Sequence, residues 1–414
     1  MAKIIIHKLI GGLLVLIPHI TIIMIGFAMH TNERFSYNDI EPSNLQEYIT
    51  LFLCGDVMTG RGIDQILKHP SDPVIHEVYM KDARGYLRIA EQANGEIFYP
   101  VDDKYIWGYA LKVFEHIHPD VKIINLETSI TKSDAFWMNK GINYRMHPKN
   151  VGCLTSAEID FCSLANNHVL DWGYSGLTET IETLQQAGIS YSGAGRDISE
   201  ASRPAMINVD GKGKVVVLSY GLRSSGIPLA WAASPENAGV NMLTILSDDE
   251  VGQIKRQIDN LANPKDIVVF SIHWGGNWGY EIPKEHISFA HQLIDEAGVD
   301  IIYGHSSHHF KGIEVYKNKL ILYGCGDFIN DYEGISGHES FRDDLVLMYY
   351  VDFDPEEETL ASLQLFPAQL KNFRINKAEQ KDMIWIMDVL NREGQKFNTS
   401  VELNKDLSLS LHWY

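Results

Sequence analysis

The stretch ITLFLCGD, residues 49–56, decides the fold class, because it is an apolar run that ends directly in Gly-Asp. Continuous apolar runs of this kind are typical of strands that are covered on both faces of a sheet. Similar runs recur along the chain at VKIINL (121–126), IDFCSLA (159–165), KVVVLSY (214–220), DIVVFSI (266–272), VDIIYG (299–304) and KLILYG (319–324). The sequence therefore predicts a sheet-rich domain with buried central strands.

Segments with a helical period lie between these runs. Residues 176–187 and 284–297 are each followed by glycine, the residue that commonly closes a helix, and 248–261 has the same period. This alternation predicts a layered α/β domain. Residues 68–120 carry few strand signals and are interpreted as an insertion. The tail has two strand-like segments and an amphipathic helix: 345–352, 360–366 and 378–392.

Polar residues follow directly after five apolar runs, in the motifs LFLCGD, IINLE, CSLANNH, VFSIHWGG and IIYGHSSHH. Because the carboxyl ends of strands are where open α/β folds collect functional residues, we expect these side chains to lie together. Each motif alone is weak. Asp56 could cap a helix, Glu127 could be a surface acid, and a lone histidine is more often structural than a ligand. Their repetition at five junctions favours a functional site.

The residue types at these junctions point to a metal. Carboxylate, amide and imidazole ligands suit Zn, Mn or Fe and fit Ca poorly. The predicted metal ligands are Asp56, Glu127, Asn167, His273, His305 and His308. Glu127 could bridge two ions, which would polarise a substrate oxygen. His168 is a candidate general acid oriented by Asp171, although Asp171 could instead cap the start of a helix.

Two arginines are candidates for substrate binding. Arg61 follows GDVMTG and is interpreted either as a substrate contact or as a surface charge. Arg196, in SGAGRD (192–197), is interpreted as an anion contact at the rim of the site. A dinucleotide-binding interpretation of this glycine-rich stretch is weak, because it follows a helix-to-strand step. The chain contains neither the G-x-S-x-G nucleophile motif nor a P-loop.

The net charge and the number of cysteines argue against two kinds of protein. The formal net charge of −19 argues against a nucleic-acid surface, which needs a basic face for the phosphates. A polyanionic substrate would need local positive charge, for which bound metal is the expected source. Four cysteines are too few for a disulfide scaffold, and no C-x-x-C pair occurs. We interpret Cys54, Cys162 and Cys325 as small buried apolar residues.

Residues 1–30 are predicted to be a membrane anchor or a signal segment. After Lys3 and Lys8, residues 9–29 carry no charge, and such a helix would measure about 31 Å, close to the thickness of the bilayer core. A cleaved signal peptide and a buried soluble helix are the alternatives. The lysines before this run place the N-terminus in the cytoplasm and the bulk of the protein outside it. Residues 31–48 are interpreted as a tether.

The motif set closely resembles a known family. It comprises GDVMTGR (55–61), NLET (125–128), ANNHVLDWG (165–173), GAGRD (193–197), HWGG (273–276), GHSSHHFKG (304–312) and YGCGDFI (323–329). Together these motifs resemble the bacterial capsule-synthesis proteins of the CapA/PgsA type, which are associated with poly-γ-glutamate and related to calcineurin-like metallophosphoesterases. The resemblance implies a four-layer αββα fold on the outer side of a membrane. It also implies that Asp56, Glu127, Asn167 and the three later histidines bind metal, and that His168 donates a proton.

The sequence departs from the wider phosphoesterase pattern at three positions. Met58 stands where the pattern has histidine, so one of two ions would lose a ligand. Val169 replaces the usual acid after Asn-His, with Asp171 as a substitute. Lys311 stands where the capsule family commonly has glutamine, and would either place a positive charge near an anionic substrate or face solvent.

These observations give one leading hypothesis. The chain is expected to have a metallophosphoesterase-like domain at 49–370 and a C-terminal extension, 371–414, packed on it. It is expected to act on poly-γ-glutamate or another cell-envelope polymer through one or two divalent ions, alongside other capsule synthesis or export proteins of the membrane. A non-catalytic polymer-binding or export subunit and a metal-dependent phosphoesterase are the alternatives.

Overall fold

The computed structural model describes residues 48–414. The predicted anchor and nearly all of the predicted tether lie outside these residues. Within the described part of the chain, none of the helices combines the length and apolarity that a membrane span requires. The four cysteines are buried and free, which confirms the interpretation of Cys54, Cys162 and Cys325.

The strands alternate with helices along most of the chain. The strands are β1 Ile49–Val57, β2 Val121–Leu126, β3 Ser129–Ile130, β4 Arg145–Met146, β5 Phe161–Ser163, β6 Ser190–Ser192, β7 Ala194–Gly195, β8 Ala205–Val209, β9 Gly213–Leu222, β10 Gly239–Val240, β11 Met242–Leu243, β12 Ile267–His273, β13 Ile301–His305, β14 Ile313–Tyr316, β15 Lys319–Leu322, β16 Asp327–Ile329, β17 Leu345–Asp354, β18 Thr359–Leu370, β19 Ile375–Lys377, β20 Thr399–Leu403 and β21 Leu409–Trp413. The α-helices are α1 Arg61–Ile66, α2 Arg84–Asn94, α3 Tyr109–Ile117, α4 Gly152–Thr155, α5 Gly173–Ala187, α6 Ile198–Ala201, α7 Asp248–Asp259, α8 Lys284–Ala297 and α9 Gln380–Gly394.

The larger sheet has ten strands, with β1 near its centre. Strands β1, β2, β5 and β6 run parallel, and β16 pairs in parallel with the end of β1. On the other side of β1, the order β17–β18–β21–β20 is antiparallel. Because β19, β20 and β21 follow residue 370, the predicted C-terminal extension contributes strands to this same sheet.

The second sheet has seven strands and carries the later site motifs. Strands β9, β12, β13 and β15 form its parallel centre. Strands β8 and β14 are antiparallel neighbours of β9 and β15. In register across the parallel pair β12–β13, His273 lies opposite His305, so both side chains leave the same face of the sheet at the same height.

Three apolar cores separate the layers. The core between the sheets contains Leu51 and Ile123 from the first sheet and Val217 and Val269 from the second. The outer face of the first sheet packs against α1, α2, α3 and α5, and that of the second packs against α7 and α8. The layer order is therefore helix, sheet, sheet, helix, and the predicted mixed α/β class is confirmed.

The strand predictions succeed where the apolar run is long. Strand β2 and helix α8 have the predicted bounds, and the other predicted strands all occur with shifts of a few residues at their ends. The insertion, residues 68–120, contains α2 and α3, which are separated by irregular segments. The polar residues that follow the parallel strands lie at one edge of the sheets. Near this edge, Tyr303 Oη donates a hydrogen bond to Cys54 O at 2.5 Å and joins the two sheets.

Candidate metal centre

Asp56, His273 and His305 form the centre of the site. Asp56 is the last residue but one of β1, and His273 and His305 end β12 and β13. Each offers one donor atom within 4.8 Å of the other two. The Nδ1 atoms of His273 and His305 lie only 2.6 Å apart. The three side chains are buried, with exposed fractions of 2%, 1% and 0%. Carboxylate and imidazole atoms held this close are the donor set of a Zn, Mn or Fe site.

The protonation of the two imidazoles supports this assignment. Burial lowers the pKa of His305 to about 3, and burial and the neighbouring imidazole lower the pKa of His273 well below its usual range. His273 Nε2 lies 3.0 Å from Asn167 Oδ1, which only accepts, so the proton is on Nε2 and a lone pair is on Nδ1. That lone pair faces His305 Nδ1 and requires a proton or a cation between the rings. The proton of His305 Nδ1 meets this requirement in the free protein, and a bound divalent metal would take its place.

Asn125 holds the carboxylates of the site in place. Its Nδ2 donates to Asp56 Oδ1 at 2.8 Å and to Glu127 Oε2 at 3.3 Å. The side-chain oxygen of Asn125 accepts in turn from Asn166 Nδ2 at 3.0 Å. The backbone N–H of Ser306 donates to Asp56 Oδ2 at 3.2 Å. Both oxygens of Asp56 are thus oriented by groups behind the centre, as supporting groups commonly orient metal ligands.

Three buried carboxylates meet at this edge of the sheets. Asp56 lies in register with Asp327 across the parallel pair β1–β16, and Glu127 follows β2. Burial raises the pKa of Asp56 to about 6, and the charge of Asp327 contributes. Burial and the charge of Asp56 raise the pKa of Glu127 well above its usual range. A bound cation would offset this concentration of negative charge.

His168 lies beside the centre and is held by Asp171. Its Nδ1 is 2.7 Å from Asp171 Oδ2, and its Nε2 is 3.7 Å from Glu127 Oε1. Lys140 Nζ pairs with Asp171 Oδ1 at 2.8 Å. Burial, followed by the charge of Lys140, lowers the pKa of His168 to about 4. The ring also stacks on Tyr144, with centroids 3.9 Å apart. His168 is therefore fixed in orientation, with Nε2 on the side of Glu127.

His308 occupies a separate position in the site. Its Nδ1 lies 2.9 Å from Asp327 Oδ1, and its Nε2 lies 2.9 Å from Asn277 Nδ2. Burial lowers the pKa of His308, but the charge and hydrogen bond of Asp327, together with the charges of Asp56 and Asp343, raise it above its usual value overall. His308 and Asn167 line the same cleft as the centre, but neither belongs to the close triplet of donor atoms.

The cleft above the centre has a volume of about 420 Å³. Its lining includes Glu127, His168 and His273 together with the aromatic residues Tyr144 and Trp278. Trp278 stacks on His338 at 3.8 Å between centroids and forms part of the wall. Asp56 and His305 lie behind the lining. A cleft of this size accommodates a small polar ligand or a short stretch of polymer.

The three cationic residues that were predicted to bind substrate lie in different environments. Arg61 lines the cleft. It is buried and pairs with both Glu77 and Asp331, so its interpretation as a surface charge is wrong. Arg196 is outside the cleft, pairing with Glu200 at 2.7 Å at the protein surface. Lys311 also lies outside the lining and is buried rather than solvent-facing, with Nζ 3.5 Å from the Glu281 carbonyl.

The residues of the site that were not predicted from the sequence include Asn125, Lys140, Tyr144, Asp327 and Tyr332. Asn125 lies within the quoted motif NLET, one position inside a strand rather than after it. Asp327 repeats the Gly-Asp step of ITLFLCGD within YGCGDFI, and this repetition is a signal that could have identified it. Lys140, Tyr144 and Tyr332 lie in irregular segments that have no such signal.

The chain is similar in sequence to known proteins. The family model described as "Bacterial capsule synthesis protein PGA_cap" matches residues 50–332. A probable polyglutamine synthesis accessory protein of Mycobacterium tuberculosis is 46% identical over 361 residues, covering 87% of this chain and 95% of the relative. The capsule biosynthesis protein CapA of Bacillus anthracis is 25% identical over 306 residues, covering 74% of this chain and 64% of CapA.

A solved structure gives a weaker similarity. The crystal structure of a phosphatase from Mycoplasma pneumoniae covers 82% of this chain and 98% of its own, with a TM-score of 0.43 and 11% sequence identity. That degree of similarity is too low to assign a function.

Proposed function

The chain belongs to the bacterial capsule synthesis protein family, and from this premise we propose that it is a membrane-anchored accessory factor with a metal-dependent hydrolase site. It acts outside the cytoplasm on a capsule or cell-envelope polymer built from glutamyl units. Its catalytic domain has the four-layer metallophosphoesterase-like arrangement. Its partners are other membrane proteins of capsule synthesis or export, and it does not bind nucleic acid.

The observation that carries the proposal is the close triplet of Asp56, His273 and His305 in a cleft where, among residues 48–414, no lysine or arginine of the lining is unpaired. Of the two cationic side chains in the cleft lining, Arg61 is paired with two acids and Lys140 with Asp171. The chain also carries a net charge of −19. An anionic polymer would be repelled by such a cleft unless a cation were bound in it.

Asp56, His273 and His305 would hold the metal, and Glu127, Asn167 and His308 are near enough to line its surroundings. When bound, a divalent metal supplies Lewis-acid polarisation of a carbonyl or phosphoryl oxygen.

Side chains of the protein carry out the proton transfer and position the substrate. Asp171 holds Nδ1 of His168, which leaves Nε2 to take a proton from the water that adds to the cleaved bond and to pass it to the group that is released. Lys140 keeps Asp171 paired, and the Tyr144 ring prevents the imidazole from turning. The cleft walls orient the polymer and exclude bulk water from the reacting bond.

A second candidate function is a non-catalytic subunit that binds the polymer during export. Met58, two residues after Asp56, favours it. This residue is buried, and its sulfur accepts from the Gly60 N–H at 3.1 Å, so it has a structural contact where a histidine ligand would be needed for a second ion. A metal-dependent phosphoesterase is the third candidate, supported by the donor set alone.

The test is hydrolysis by the purified full chain after loading with Mn, Zn or Fe. The substrates are poly-γ-glutamate, poly-L-glutamine and a phosphodiester. We expect cleavage of a glutamyl polymer that is abolished in Asp56→Ala and reduced about 10²- to 10⁴-fold in His168→Ala. The exposed His69 offers a matched control, His69→Ala, which should retain full activity.

The outcomes separate the three candidates. Cleavage of the phosphodiester alone would favour the phosphoesterase. Polymer binding without turnover of any substrate would favour the export subunit. Equal activity in wild type, Asp56→Ala and His168→Ala would exclude this site as the source of the reaction.

A further inference from the structure

The hydroxyl groups of Tyr144 and Tyr332 form a pair inside the cleft. The two Oη atoms lie 2.7 Å apart, and both residues line the cleft together with Glu127 and His168. Tyr144 precedes β4, whereas Tyr332 follows β16, so the pair joins two segments that are 188 residues apart in the sequence. The proposed hydrolase mechanism assigns no role to either hydroxyl.

A proton count leaves this pair with one unused donor. Two hydroxyls carry two protons, and the bond between them uses one. Among residues 48–414, neither hydroxyl has another hydrogen-bond partner. Burial raises the pKa of both tyrosines above the usual range, so both keep their protons at neutral pH. One O–H group is therefore available to an acceptor that enters the cleft.

The pair is held rigidly from behind by Arg61. The guanidinium carbon lies 4.7 Å from the centroid of the Tyr144 ring and 5.7 Å from that of Tyr332. Arg61 is fixed by Glu77, with Nη1–Oε1 at 3.0 Å, and by Asp331, with Nε–Oδ2 at 3.1 Å. The face of Tyr144 also stacks on His168. A donor that is already oriented before the ligand arrives costs little reorganisation when it binds.

We propose that the Tyr144–Tyr332 hydroxyl pair is an oxyanion-binding subsite, which donates a hydrogen bond to a carboxylate or phosphoryl oxygen of the ligand next to the metal centre. This proposal depends on the proposed function in one respect, which is that the ligand binds next to the metal centre. A γ-linked glutamyl polymer presents a free carboxylate on every residue, whereas polyglutamine presents neutral amides. The subsite would thus select the acidic polymer over the amide polymer.

The test measures binding by isothermal titration calorimetry, so it does not depend on turnover. The full chain, with and without Mn, is titrated with a γ-glutamyl oligomer, with its neutral α-amide analogue and with inorganic phosphate. The variants are Tyr144→Phe, Tyr332→Phe and the double variant. Tyr350→Phe is the matched control, because the Tyr350 hydroxyl is buried in the sheet core and has no hydrogen-bond partner in the part of the chain that the structure describes.

We expect the double variant to bind the anionic ligands about 10- to 100-fold more weakly, the effect of one charge-assisted hydrogen bond. Each single variant should lose part or all of this affinity for the anionic ligands, depending on which hydroxyl faces the ligand. Binding of the neutral analogue, Mn content and thermal midpoint should remain as in wild type, and Tyr350→Phe should bind normally. A selective loss of the glutamyl oligomer would identify a carboxylate as the ligand, and a selective loss of phosphate would identify a phosphoryl group.

The failure of this proposal is distinct from failure of the metal site. Unchanged anion affinity in a double variant that retains Mn would overturn the subsite and leave the metal site intact. Wild-type protein that binds no Mn, yet binds phosphate through the tyrosines, would support the subsite and contradict the metal site. Wild-type protein that binds neither anion in either form would overturn the subsite.

Discussion

The cleft has two sides that are built differently. The metal side consists of Asp56, His273 and His305, each at the end of a long buried strand. The hydroxyl side consists of Tyr144 and Tyr332, supported by Arg61 and carried by irregular segments and short strands. The metal side is fixed by the sheet ladders themselves, whereas the hydroxyl side is fixed by one buried ion-pair network between distant segments.

This difference has physical consequences. Parallel pairing fixes the spacing of His273 and His305 through backbone hydrogen bonds, which no single side-chain substitution removes. The hydroxyl side depends on a guanidinium between two carboxylates, which is lost when one residue changes. We therefore expect substitutions on the metal side to remove the metal without unfolding the protein, and substitutions behind the hydroxyl side to affect folding.

Arg61→Ala should have the largest effect on stability. It leaves the buried carboxylates of Glu77 and Asp331 without their cation, which typically costs about 3–5 kcal/mol. The free energy of unfolding, measured by urea denaturation, should fall by that amount. Arg196→Ala is the matched control, and removing its partly exposed ion pair should change the free energy by less than about 1 kcal/mol. Equal effects of the two variants would contradict the comparison between the two sides.

Asn125→Ala should weaken metal binding without a comparable loss of fold. The amide orients Asp56 and Glu127, and removal of such a supporting group typically reduces metal affinity about 10- to 100-fold. The measurement is the dissociation constant for Mn from calorimetric titration of the chelator-treated protein. Asn241→Ala removes another buried amide, which donates to Ser219 O at 2.9 Å, and its Mn affinity should equal that of wild type. Unaltered affinity in Asn125→Ala would mean that the strand alone positions Asp56.

Acid should destabilise the metal side through its buried neutral imidazoles. His286 stacks on Trp274 next to His273, and burial, followed by the charge of Lys311, lowers its pKa to about 4. Because the folded-state pKa lies below the unfolded value of about 6.5, stability is full above that pH and falls as the pH drops towards 4. In chelator-treated protein, His286→Gln should lessen this loss by on the order of 1 kcal/mol, as read from urea denaturation at each pH. Parallel stability curves for the variant and wild type would contradict the assignment.

The sequence predicts the metal side because its residues follow long apolar strands. That pattern locates the ends of β1, β12 and β13 within two residues, and parallel strands bring such ends together. Asp327 cannot be predicted in this way, because β16 has only three residues. The register that places Asp327 beside Asp56 is a tertiary contact. The α/β class is predictable for the same reason as the metal side.

The hydroxyl side is not predictable from local patterns. Tyr144 and Tyr332 have no periodic neighbours, and they meet beside a network in which Arg61 joins Glu77 to Asp331 across 254 residues. The same network explains why Arg61 is buried rather than a surface charge. Arg196 was expected at the rim of the site because it lies in the glycine-rich stretch SGAGRD, and Lys311 near substrate because it stands where the capsule family commonly has glutamine. In the structure Arg196 pairs instead with Glu200, and Lys311 Nζ lies beside the Glu281 carbonyl.

The most direct test of the central claim is the metal content of the full chain. It is measured by elemental mass spectrometry after incubation with Mn, Zn or Fe and removal of free ions. We expect stoichiometric metal in wild type and in the Arg196→Ala control, and its loss in the Asp56→Ala, His305→Ala double variant that remains folded. Wild-type protein without metal, even after reconstitution, or a double variant that retains it, would contradict the proposed metal centre.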